Sequence, residues 1–190
     1  KILEFVKSHP GKKIVIGYPL YLKELGYAYK DRWTTIDLET NKIVKTKYFS
    51  EILKKYNQDH ARCIRDWMET DGLLTLENGE TIQGPKPTDV AKEYLDGLKR
   101  LNDFAKKQFP DRPIVAHGVG HQWDLDAVVT FLAQGKVSYE DFVKTMGRPG
   151  AQPKEQVIGE SEVISNITID TNTGKTTVKY RGQEFGTTLS

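Results

Sequence analysis

The chain has 190 residues, 28% of them charged and 37% apolar, with a formal net charge of +2. That length suits one domain with a buried core, and so small a charge argues against a nucleic acid or an acidic membrane surface as partner. No apolar run approaches a membrane span, nothing reads as a signal peptide, and the lone Cys63 excludes an internal disulfide.

In chain order, Lys1 to Lys7 reads as the end of a helix stopped at Pro10-Gly11, and Lys13 to Gly17 (KIVIG) as a short apolar strand. Trp33 to Glu39 and Lys42 to Phe49 alternate about Thr40-Asn41, which predicts a β-hairpin. Ser50 is the expected cap of the next helix, along which Ile52, Leu53, Tyr56, His60, Cys63, Ile64, Trp67 and Met68 recur on one face. A polar, glycine-bearing loop fills Thr70 to Pro87. Thr88 then opens a long helix with the stripe Ala91, Tyr94, Leu95, Leu98, Leu101, Phe104 and Ala105, broken at Pro110-Asp111.

Pro113 to Gly120 reads as a buried strand, Asp124 as the N-cap of the helix DLDAVVTFLAQ, and Gly135 as its C-terminal glycine. Ser138 to Met146 is a further short helix, and EVISNITID with KTTVKYRG forms a last hairpin about Asn172-Thr173-Gly174. Strands alternating with long helices predict a single α/β domain over residues 1–190. The expected architecture is a three-layer sandwich with a largely parallel central sheet flanked by helices, plus β-hairpin excursions.

Two of the four histidines, His117 and His121, fall within IVAHGVGH. Ligands in such sheets bind beyond the carboxyl ends of the strands, and a strand-to-helix junction collects the N–H groups that receive anions. His121 stands at that junction. A His-x-x-x-His pair also suits metal ligation, with Asp124 and Asp126 close by. On an extended strand, however, the two imidazoles would lie roughly 13 Å apart, too far for one ion. No metal or other cofactor is therefore expected.

The segment from Pro113 through His121-Gln122-Trp123-Asp124-Leu125-Asp126-Ala127-Val128 resembles the second-histidine motif of the histidine phosphatase superfamily, in its phosphoglycerate-mutase-like branch. Asn78-Gly79-Glu80-Thr81 is similar to that family's Gly-Glu-Ser segment. The ending EVISNITIDTNTGKTTVKYRG looks like its terminal hairpin, and KILEFVKSHPGKKIVIGYPL like the helix and second strand that follow its first strand. The family's nucleophile lies in an Arg-His-Gly triplet, which this sequence lacks, and Tyr18-Pro19-Leu20 stands where the family has Ser-Pro-Leu. The expectation is a histidine-phosphatase-like domain whose first strand and helix start lie upstream of Lys1, or a relative that has lost them.

The resemblance implies hydrolysis or transfer of a small phosphate monoester through a phosphohistidine. His121 would be the histidine that steadies the transferring oxygens, with Gln122, His117 and Arg62 as further phosphate contacts. A carboxylate whose pKa is raised would protonate the leaving alcohol; Glu80 matches the family's position and Glu69 is its rival. Two alternatives remain open. One is a catalytically inactive relative that binds a phosphorylated ligand or a partner protein. The other is a metal-dependent hydrolase built on the His-x-x-x-His segment.

Overall fold

The structure, a computed structural model, describes residues 14–18, 32–40, 42–108, 110, 114–118, 121–147, 153–158, 165–169, 173 and 175–188. The helix expected over Lys1 to Lys7 lies outside them. The protein mixes helices and strands. The two apolar segments pair as parallel strands, β1 (Ile14–Tyr18) beside β6 (Ile114–Gly118), in register from Ile14 opposite Ile114 to Tyr18 opposite Gly118. The remaining strand pairs among the described residues are antiparallel.

The hairpin of β2 (Thr34–Asp37) and β3 (Lys42–Lys45) forms as expected but ends early. The Thr46 hydroxyl accepts a hydrogen bond from Phe49 N at 3.3 Å and starts helix α1 (Lys47–Lys55), so Ser50 lies inside the helix it was expected to cap. The long stripe that follows is two helices. Asn57 and Gln58 take positive φ of 51° and 65°, which turns the chain out of α1. The Asp59 carboxylate then accepts from Ala61 N at 3.1 Å and Arg62 N at 3.2 Å, capping α2 (His60–Glu69). Both helices still bury most of the predicted apolar residues, with Ile52, Cys63, Ile64 and Trp67 fully enclosed and Tyr56, after α1, half-buried. His60 is exposed at the start of α2 rather than buried mid-helix.

The expected loop contains a short hairpin of β4 (Leu73–Thr75) and β5 (Thr81–Gln83). Helix α3 (Pro87–Gln108) begins one residue before Thr88, proline being well placed in a first turn. Helix α4 (Gln122–Gln134) ends at Gly135, whose φ of 75° is the left-handed stop that its sequence position implied. Helix α5 (Tyr139–Met146) is capped by Ser138, and α6 (Pro153–Gln156) is one turn. The terminal hairpin is a three-stranded sheet of β7 (Ser165–Ile169), β8 (Lys175–Tyr180) and β9 (Gln183–Thr188). Arg181 and Gly182, at φ 48° and 76°, make the two-residue turn that adds β9.

Helix α4 packs against α3, α5 and the β8–β9 hairpin, and Ala127, Val128 and Val129 are fully buried. At its start lies an aromatic cluster in which the Trp123 ring meets Trp33, Phe49 and Trp67 at 4.8, 5.3 and 5.4 Å between centroids. Such pairs each add about 0.5–1.5 kcal/mol beyond the area they bury. Among the described residues no helix is long and apolar enough to cross a membrane.

Candidate functional site

The first turn of α4 follows the parallel strand β6 in the chain. His121 is its N-cap residue, with extended backbone (φ −64°, ψ 145°), and the His121 carbonyl accepts the first helical bond, from Leu125 N at 3.1 Å. The backbone N–H groups of Gln122 and Trp123 therefore precede the intrahelical ladder, at the positive end of the helix dipole. The imidazole of His121 makes no capping bond and is exposed. This places a side chain able to donate a hydrogen bond beside backbone donors, a combination that suits an anion.

The residues just behind His121 anchor that turn. The Gln122 side-chain amide donates to Ile158 O, while Ile158 N donates to Asp126 Oδ1 at 2.9 Å, so one turn of α4 grips both faces of a single peptide residue. The Trp123 indole donates to His60 Nδ1 at 3.4 Å. Asp124 is not the N-cap: the helix begins two residues earlier, and Asp124, with 0% exposure, accepts from the Trp33 indole at 2.9 Å. Asp126 is equally buried. A buried carboxylate needs such donors because desolvation is otherwise severe.

The other predicted residues are dispersed. Glu80 sits exposed at the β4–β5 turn, its carboxylate 2.6 Å from the Lys47 ammonium. That hydrogen bond, with the charge behind it, holds the carboxyl below its ordinary value. A proton donor to a leaving alcohol needs the opposite shift. Glu69, at the end of α2, pairs with Arg65 at 2.9 Å, and Arg62 pairs with Asp59 at 3.5 Å, all on the exposed side of that helix. His117 lies in β6 opposite Gly17; its side chain is outside the described residues. Among the described residues no group of three or more His, Cys, Asp and Glu side chains is arranged to hold a metal ion.

Sequence reasoning missed His60, which it assigned to a mid-helix position, and the Ile158 clamp. Asn57-Gln58-Asp59 carried a signal for the former, since Asn tolerates left-handed backbone and Asp caps helices. The clamp had no local signal. No family model, curated protein or solved structure matches the chain.

Proposed function

We propose that this is a phosphoryl-recognition domain of the histidine-phosphatase kind, in which His121 and the Gln122 backbone N–H receive the phosphate of a small monoester. The observation that carries the reading is the exposed imidazole at the cap of α4, directly after a strand of a parallel pair. On this reading β1 and β6 belong to the central parallel sheet of a three-layer sandwich, and the ligand lies beyond the carboxyl end of β6. Hydrolysis or transfer through a phosphohistidine is the chemistry that the sequence resemblance implies.

Two observations favour binding without turnover by these 190 residues. They contain no Arg-His-Gly triplet, and Glu80 is held ionised beside Lys47 rather than poised to give up a proton. Charge stabilisation by His121 does not replace a covalent nucleophile.

Titration of the isotope-labelled chain with inorganic phosphate or vanadate tests the reading. The amide signals of Gln122 and Trp123 should move on binding, and His121→Ala should remove that response. Because the imidazole is exposed, the substitution should leave the chain folded, which its unfolding transition checks. Shifts confined to other regions, or a response untouched by His121→Ala, would overturn the proposal.

A further inference from the structure

Helices α2 and α4 meet at their starts. His60 is the first residue of α2 and Trp123 the second of α4. The Trp123 indole N–H points at His60 Nδ1 across 3.4 Å, and the two rings stand nearly perpendicular at 88°, with centroids 6.3 Å apart. Trp123 is 2% exposed, so its N–H is shielded from water, whereas His60 reaches solvent. An imidazole accepts at Nδ1 only when that nitrogen carries no proton; the imidazolium donates from both nitrogens. The bond therefore exists in one protonation state and not in the other.

The surroundings favour the accepting state. Partial desolvation on the side that faces the protein holds the otherwise exposed His60 below the ordinary imidazole value, and Lys45 on β3 pushes the same way while Asp59, the cap of α2, opposes it. Two rings also border it, Phe49 from α1 at 6.4 Å and Trp123 from α4. The positive end of the α2 dipole also disfavours a cation at its first residue.

We infer that His60 is a positioning residue for the His121 site: neutral, it holds Trp123 and with it the first turn of α4; protonated, it releases that turn. The consequence for phosphate rests on the proposed role of His121, but the bond itself does not. Acidification then weakens phosphate binding through a group that does not touch phosphate.

The indole N–H resonances of the full chain, with Trp123 assigned by Trp123→Phe, read the bond directly. In the native protein the Trp123 signal should titrate with a midpoint below the ordinary imidazole value of 6.5. His60→Asn offers an oxygen near the Nδ1 position and has no proton to gain, so its signal should stay at the high-pH position throughout. His60→Phe keeps a ring but no acceptor, and its signal should be displaced at every pH. A flat native signal, or the same titration in His60→Asn, overturns the inference.

Inorganic phosphate affinity supplies the second readout. The native protein and His60→Asn should bind alike near about pH 8, and the native protein about fivefold more weakly near about pH 5. An affinity ratio that does not change with pH, while the indole titrates, overturns the positioning role alone. Absence of phosphate binding by both proteins at every pH overturns the reading of His121, and the positioning role with it; the indole titration then separates that failure from failure of the His60 bond.

Discussion

The start of α4 and the β4–β5 turn each present a chemically attractive side chain to solvent, His121 in one and Glu80 in the other. They differ in what stands behind that side chain. Behind His121, the next three residues are each tied to a distant part of the chain: Gln122 to Ile158, Trp123 to His60 and Asp124 to Trp33. Behind Glu80 there is a local turn, with Glu80 N donating to Asn78 Oδ1 at 3.0 Å, and a surface ion pair to Lys47. Exposure alone does not distinguish a site from a solvated surface. Orientation of the exposed group by buried neighbours does, because a binding group must be held in place before the ligand arrives.

Substitutions can break or sharpen this contrast. The largest effect is expected at the anchored turn. Trp123→Ala removes an almost fully buried indole that packs on three other rings, and chemical denaturation should report a loss of about 3–5 kcal/mol. A loss below about 1 kcal/mol would mean that the cluster does not support the start of α4.

An intermediate effect is expected where the β4–β5 hairpin joins the core. A Cβ on Gly84 would fall 2.5 Å from the Tyr48 ring, so Gly84→Ala should destabilise by about 1–3 kcal/mol. Its tip should behave otherwise. Glu80→Gln breaks an exposed ion pair and should leave the denaturation midpoint essentially unchanged. It should also leave phosphate binding unaltered; a loss of binding in Glu80→Gln would return this turn to the site.

Much of the fold was legible because its signals are local. Gly135 terminates α4 in the left-handed conformation, Ser138 caps α5, and the apolar runs at Ile14 and Ile114 became paired strands. Errors arose where two local signals competed. The apolar stripe from Ile52 to Met68 continued across Asn57 and Gln58, so periodicity hid the break that their backbone makes. At Asp124 a residue type favoured at caps was instead recruited by a tryptophan far away in sequence.

The site was legible only in part for the same reason. His121 could be singled out from its place between a strand and a helix. The partners that fix its helix, His60 and Ile158, are defined by contacts that no window of sequence contains.

The clamp on Ile158 does not stand alone. The Arg181 guanidinium donates to Met146 O at 3.3 Å and to Gln156 O and Val157 O at 3.1 Å each, tying the end of α5 and the two residues before Ile158 to the turn of the terminal sheet. A planar group with several fixed donors serves three carbonyls in a way that a lysine ammonium does not reproduce. Chain order gives this arrangement a direction. A nascent polypeptide that has emerged only as far as Gln134 already holds His121, yet it contains neither Ile158 nor Arg181. The helix that presents the imidazole can therefore be tied to Trp33 and His60 as soon as it emerges, whereas its hold on Ile158 waits for chain that is synthesised later.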